Sequence, residues 1–340
     1  MLSIYQKGIV EEICKSYCEG IQVNGKIILK GMVQWIEERI NKYCSSEKEA
    51  VKELKSKLTT VKVKEILETQ PDKLIDIWNE FKIYENLKKD DDDSNTILEN
   101  IFHYETFRSY RSTIINGYWL AQELGVDCCP YCNRNYTMSH KHNYDLIKKE
   151  NKYVFPSFDH FYPKETYPLL ALSFYNLIPC CNACNSDYKG ARDPNDINKS
   201  DYKILHPYTD FKNDHFSFDF IPEEYEDLVG KNKKIDLKIN YKNNFIRSDL
   251  EKSIKFFGIL ENYSNHRDMI QDIMDKKITF SDRYLSIIQS TYGLDFQTTY
   301  KMLFEVHYDD EKLFKLPFSK LKKDVYDKLE EIRKKSTRLI

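Results

Sequence analysis

Cys129-Pro130-Tyr131-Cys132, then Phe158-Asp159-His160-Phe161-Tyr162-Pro163, then Cys181-Asn182-Ala183-Cys184-Asn185, with Lys189 four positions on, is the stretch whose reading decides the fold. A C-x-x-C turn sets two thiolates on one tight loop. Two such turns supply the four tetrahedral ligands that a structural zinc ion takes. The spacing and the Pro-Tyr and Asn-Ala fillers favour Cys129, Cys132, Cys181 and Cys184 as ligands, with Cys128 and Cys180 left as core thiols at the edges of the knuckles. The competing reading is that the thiols pack as small hydrophobes. It suits a single pair better than two pairs that are each followed by polar chemistry.

Disulfides are the other alternative. The chain has nine cysteines, an odd number, and Met1 to Gly20 is charged throughout (Lys7, Glu11, Glu12, Lys15, Glu19). That segment reads as an amphipathic helix and not as a secretory signal. Reduced cysteines and a cytoplasmic location are therefore expected. Hydrophobic residues make up 41% of the 340, with no apolar run of membrane-spanning length, so no transmembrane segment is expected. The net charge of −2 argues against a surface that coats nucleic acid non-specifically, but not against a locally basic enzyme site.

Outward from the cysteines the pattern is largely helical. Ile28, Met32, Ile36 and Ile40, and then Val63, Ile66, Leu67, Leu74 and Ile77, recur at helical spacing. Asp90 to Asp93 read as a solvated linker, in preference to a metal-binding or DNA-mimicking patch, and Ser94 to Thr96 are helix-capping types. Ile97, Ile101, Tyr104, Phe107, Ile114, Tyr118 and Ala121 predict one long helix ended by Gly125. Arg108 and Arg111 on it either face a phosphate backbone or are ordinary surface charge. Between the knuckles, Arg134 to Met138 and Tyr153 to Phe158 predict two strands joined by a polar loop holding His140 and His142. Leu169 to Leu177 reads as helical or turn-like, Cys184 to Ala191 as a short helix, residues 231 to 247 as a strand or hairpin, and the remainder from Asp249 as helical.

The chemistry concentrates between and just after the knuckles. Asp159 offers a hard oxygen for Mg²⁺ or Mn²⁺, and His160 a base whose ordinary pKa lies near neutrality. Asn185 follows the last cysteine, so a metal-bound turn would fix its amide oxygen as a second ligand. Asn176 can hold His160 or a neighbouring loop through both ends of its amide. Lys189 is placed to meet a phosphate or the backbone.

These residues resemble the HNH endonucleases of the ββα-metal fold. The family pattern of zinc knuckle, Asp-His-x-x-Pro strand end, Asn-Leu segment, C-x-x-C-Asn and a following Lys is matched by Cys129 and Cys132; Asp159, His160 and Pro163; Asn176 and Leu177; and Cys181, Cys184, Asn185 and Lys189. Asn185 stands where the third letter of the family name is His, a variant that bears on metal affinity. The wording CPYC, FDHFYPK and YNLIPCCNACN is especially similar to the nucleases of Septu-type and retron-linked anti-phage defence systems, which work with an ATPase of the ABC or SMC type.

The resemblance implies an α+β fold: a small ββα-metal core with structural zinc, flanked by mainly helical regions. The expected divisions are a helical region over 1–93, a long helix over 94–125, a nuclease core over 126–210, and a mixed, then helical, region over 211–340. It also implies hydrolysis of DNA with one Mg²⁺ or Mn²⁺ held by Asp159 and Asn185 and with His160 as base. Lys189, Arg192 and Arg134 would hold the DNA backbone together with a partner ATPase. Aromatic helical faces (Phe102, Tyr110, Phe256, Phe257, Tyr263) either dock that partner or pack the core. A zinc-stabilised nucleic-acid-binding or adaptor module without catalysis would keep the cysteines but would not need Asp159, His160 and Asn185. An RNA-directed nuclease would keep them all.

Overall fold

The computed structural model describes residues 1–6, 8–89, 92–109, 113–145, 150–196, 202–210, 212–222, 235–242 and 247–337. The chain is α+β: helices and small two-stranded antiparallel sheets, five of them among the described residues. No helix among these residues is long and apolar enough to cross a membrane. The chain divides into two compact units.

One unit comprises Tyr5–Val126 and Thr137–Ile197. Its first half is built from amphipathic helices. Ile9–Glu19 buries Val10, Ile13, Tyr17 and Cys18, Met32–Tyr43 buries Trp35, Ile36 and Ile40, and Thr60–Glu68 buries Val63, Ile66 and Leu67. Each fully buried large apolar side chain contributes about 1.5–3 kcal/mol. The second helix starts later than the periodicity of Ile28 suggests. Asn24 and Gly25 both take positive φ (50° and 76°), the geometry of a tight hairpin turn, so Gly20–Val23 pairs with Lys26–Lys30 and Ile28 lies exposed on a strand.

The expected long helix over 94–125 is corrected to three short ones, Ile97–Ile101, Tyr104–Arg108 and Gly117–Leu124. The interruptions are cap residues inside the apolar pattern. His103 Nδ1 accepts the Thr106 N–H, and Asn116 Oδ1 accepts those of Tyr118 and Trp119. These bonds satisfy the orphan donors of new helix starts. Gly125 ends the last helix in the left-handed conformation, as its position in the sequence indicates. Of the acidic run, residues 90 and 91 lie outside the described residues, as do Tyr110 and Arg111. Asp92–Thr96 is a strand paired with Lys88–Lys89 and not a loop.

The hairpin between the knuckles exists with different strands. His140–Asp145 pairs with Glu150–Val154 (His140 opposite Val154), which moves His140 and His142 from a loop onto a strand. Residues near 134–138 are committed elsewhere, because Cys129 N–H donates to Asn135 O (2.9 Å) and Thr137 Oγ1 to Val126 O (2.6 Å). Ser157–His160 instead pairs with Leu177–Cys180, with Asp159 opposite Ile178 and His160 opposite Leu177. The chain then enters a π-helical segment, Ala183–Lys189. The intervening Pro168–Leu170 and Phe174–Asn176 are single 3₁₀ turns, matching the turn-like expectation.

The other unit comprises Met1–Ile4, Asp127–Tyr136 and Asn198–Ile340. Phe216–Pro222 pairs with Ile235–Tyr241, and the alternating Phe216, Phe218 and Phe220 are buried. Tyr263 stacks on Phe218 at 4.6 Å. In the last helix, Ser319–Thr337, buried Lys320 and Asp324 pair at 3.0 Å, while Asp324 also accepts the Phe218 N–H. Phe102, Phe257 and Tyr263 are at most 1% exposed, so these rings pack the cores of their own units and do not form a docking face. Tyr110 lies outside the described residues.

Candidate active site and metal centre

The first knuckle is closed by its own backbone. Asn133 takes positive φ (47°) and its N–H donates to Cys129 O at 2.7 Å, while Tyr263 Oη donates to Cys132 O at 2.6 Å. At the second knuckle, Asn185 N–H donates to Cys181 O at 3.0 Å, which starts the π-helical segment. Cys129, Cys132, Cys181 and Cys184 are all buried, and their sulfurs lie within 4.8 Å of one another. Four Zn–S bonds of ~2.3 Å at tetrahedral angles place sulfurs about 3.8 Å apart, so this donor set fits a structural metal such as zinc. Cys128 and Cys180 are buried outside the group of four, and burial pushes both thiols up, the Asp159 carboxylate adding to the effect at Cys180. They are core thiols, as the spacing indicates.

The strand end at Asp159-His160 is held from three sides. Asn176 Oδ1 accepts the Tyr162 N–H (2.7 Å), and its Nδ2 donates to Tyr162 O (3.1 Å) and Leu170 O (2.9 Å), so one buried amide clamps the turn that follows His160. His160 Nε2 lies 3.1 Å from Ala171 O. A carbonyl only accepts, so Nε2 carries the proton and Nδ1 the lone pair. The Tyr104 ring meets the imidazole edge-on at 4.4 Å. Burial holds the His160 pKa down to about 3, against the pull of the Ala171 carbonyl, and the ammoniums of Lys164 and Lys189 add to the lowering. The ring is a neutral base at physiological pH.

Lys189 departs from its expected role. Its ammonium is buried, 2.9 Å from Asp159 Oδ1 and 2.6 Å from His160 O, so it is turned inward and is not offered to a DNA phosphate. Charge neutralisation explains this, since a buried carboxylate is tolerated only when paired and hydrogen-bonded. Replacing Lys189 by methionine is expected to destabilise the chain by ~3–5 kcal/mol, the cost of leaving one partner of a buried pair uncompensated. The double variant Lys189→Met, Asp159→Asn should recover much of that loss, because neither charge remains. Urea unfolding of the set checks this; additive losses would mean that the pair is not coupled.

Asp159, His160 and Asn185 line one cleft of about 510 Å³, with Tyr104, Arg108 and Lys164 also on its wall. Asn185 makes no side-chain hydrogen bond among the described residues and lines the cleft that Asp159 also lines. Both side chains offer the hard oxygens that Mg²⁺ or Mn²⁺ takes. The other expected phosphate ligands do not line the cleft. Arg192 is exposed and folds back on the carbonyls of Tyr188 and Lys189. Arg134 belongs to the other unit, where Nη1 donates to Asn262 Oδ1 at 2.8 Å. Sequence reading missed Tyr104 as a wall residue, because its helical spacing marks it as core.

No family model and no solved structure matches the chain. A stretch of 118 residues is 30% identical to Septu protein PtuB of Bacillus thuringiensis, covering 35% of this chain and 38% of that protein. The chain is thus similar over about a third of its length to a Septu protein and carries a buried group of four cysteines able to hold a metal.

Proposed function

We propose that the chain is a divalent-metal-dependent HNH-type endonuclease that hydrolyses DNA phosphodiester bonds and acts as an anti-phage effector. The observation that carries this reading is the tautomer of His160. Its Nε2–H is spent on Ala171 O, leaving the Nδ1 lone pair on a residue that lines the same cleft as Asp159 and Asn185. The Nδ1 takes a proton from the attacking water, and the Ala171 bond and the Tyr104 edge keep the ring from turning away from that task. Asp159 and Asn185 would hold a divalent ion, which would supply Lewis-acid stabilisation of the scissile phosphate and leaving oxygen. Lys189 pairs with the Asp159 carboxylate and holds it in place, and Asn176 sets the turn. Zinc on four thiolates has no open position and serves structure. The nuclease core is proposed to span 126–210 and to work in the cytoplasm.

The defence role and an ATPase partner rest on the similarity to the Septu protein, which covers a minor part of both chains. The net charge of −2 points the same way, since an unaided chain gains little from counterion release on DNA. The test is to incubate the purified chain, alone and with the protein encoded beside it, with DNA and RNA in Mg²⁺, Mn²⁺ or EDTA. Metal-dependent DNA cleavage that rises with the partner is expected. Cleavage of RNA alone would move the substrate assignment, and no cleavage under any condition would leave a zinc-stabilised binding module.

A further inference from the structure

In the unit that carries the C-terminal helices, the helix Asp282–Tyr292 buries none of its side chains. Its apolar residues are nevertheless spaced for packing. Tyr284, Ile287 and Ile288, with Thr291 added, make the i, i+3, i+4, i+7 seam of a helix that meets another helix. Leu285 and Gln289, one turn apart, are half-buried, and Asp282 pairs with Lys277 at 2.9 Å, so that side faces the helix's own unit. Tyr284, Ile287 and Thr291 fall on the opposite side. Tyr284, Ile287 and Tyr292 are 48%, 54% and 73% exposed, so folding of the unit leaves the seam in water. Residues 284–294 also lack any charge, in a chain where 31% of residues are charged. A solvated helix face is ordinarily polar or charged, and this one has the composition of a contact.

Symmetry and charge select the occupant. The seam reads the same from either end about a point between Ile287 and Ile288. Two copies laid antiparallel about a two-fold axis there set Ile287 opposite Ile288 and Tyr284 opposite Thr291, with no like charges opposed. Arg283 adds the complementarity. It is exposed, makes no ion pair among the described residues, and stands in the first turn of its helix, where a cation opposes the macrodipole. In the antiparallel pair it comes alongside Tyr292 at the C-terminus of the other copy's helix. The negative end of that dipole and the face of an exposed ring both favour a guanidinium. A second copy of the chain supplies each of these features itself.

We propose that Asp282–Tyr292 is a self-association surface through which two copies of this chain pair antiparallel about an axis between Ile287 and Ile288. The helix is about 16 Å long, so the contact is smaller than the standard interface of roughly 800 Å² per partner. The dimer is therefore reversible and forms at micromolar concentration. None of these residues lines the cleft, so the proposal stands apart from the nuclease reading.

Sedimentation velocity of the full chain, from low to high micromolar concentration, tests it. The parent should pass from the mass of one chain to twice that mass. Ile287→Lys should stay at the mass of one chain throughout, and Arg283→Glu should raise the dissociation constant about tenfold. Both sites are exposed, and thermal melting and zinc content confirm that each variant is folded. Orientation is read by crosslinking. The double variant Tyr284→Cys, Thr291→Cys should join two copies covalently on mild oxidation, because those positions meet only in an antiparallel pair. Tyr284→Cys alone should stay unlinked.

A parent chain that is monomeric at every concentration overturns the proposal. So does a dimer that survives in folded Ile287→Lys, or one that Tyr284→Cys alone crosslinks. A monomeric chain that uses Ile287 to bind a different protein gives this face to that partner and likewise overturns it.

Discussion

Replacing His160 by alanine is expected to lower the DNA cleavage rate by about 10²–10⁴-fold, the range that a positioned general base supplies, while DNA affinity and zinc content stay at the parent level. The separation is the informative part. The His160 ring packs against Tyr104 and accepts no load from the strand ladder, which runs through its backbone opposite Leu177. Removing the ring takes away the Nδ1 lone pair and the bond to Ala171 O, but leaves the carbonyl that Lys189 grips. Asp159→Ala should fail differently. It removes a proposed ligand of the divalent ion and strands the Lys189 ammonium in the interior, so stability falls together with activity. Rate measurements under Mg²⁺ and Mn²⁺, paired with melting curves, distinguish the two. A His160→Ala protein that cuts at the parent rate removes the base from the scheme.

Purified chain is expected to carry about one tightly held zinc, and Cys181→Ser to lose it along with the fold around the four cysteines. A site of four thiolates couples metal binding to folding, with apparent binding free energies of ~10–16 kcal/mol in small zinc domains. That is comparable to the whole stability of a typical domain, about 5–15 kcal/mol. The consequence of losing the metal spreads because the second knuckle continues directly into Asn185 and Lys189. The Asn185 N–H bonds to Cys181 O, and Lys189 closes on Asp159 and His160. A strong thiol-competing chelator should reproduce the effect of the substitution, whereas EDTA at low concentration should remove cleavage and spare the fold. Metal analysis that finds no zinc in a folded, active chain would sink the structural role assigned to the four cysteines.

The knuckles were legible in the sequence because C-x-x-C is a local constraint. Two thiols two residues apart must share a turn wherever the chain goes, and the pairing of Cys129 and Cys132, and of Cys181 and Cys184, follows from spacing alone. Asp159, His160 and Asn176 stood out as candidates for a related reason, since each sits at a strand end or turn defined by its neighbours. Helix stops at Gly125 and helix faces such as Ile36 and Ile40 or Ile66 and Leu67 were readable from period and cap chemistry.

Where local patterns compete, the sequence alone does not decide. The apolar period through 97–121 is compatible with one helix, and the three helices observed arise because His103 and Asn116 satisfy backbone donors only if the chain breaks there. The strand register between the knuckles depends on Cys129 claiming Asn135, a contact that strand-like composition at 134–138 does not reveal. The role of Lys189 is the plainest case. A lysine one turn past a knuckle reads as a phosphate ligand, but folding buries Asp159 beside it, and a buried carboxylate takes the nearest cation. What the sequence by itself determined is which residues are able to bind metal, hold charge or move a proton, because thiolate, carboxylate, imidazole and amide are properties of residue type and short spacing. The tertiary structure alone decided which of them meet. It turned Lys189 inward and set the His160 tautomer through Ala171, because burial and charge pairing depend on neighbours distant in the chain.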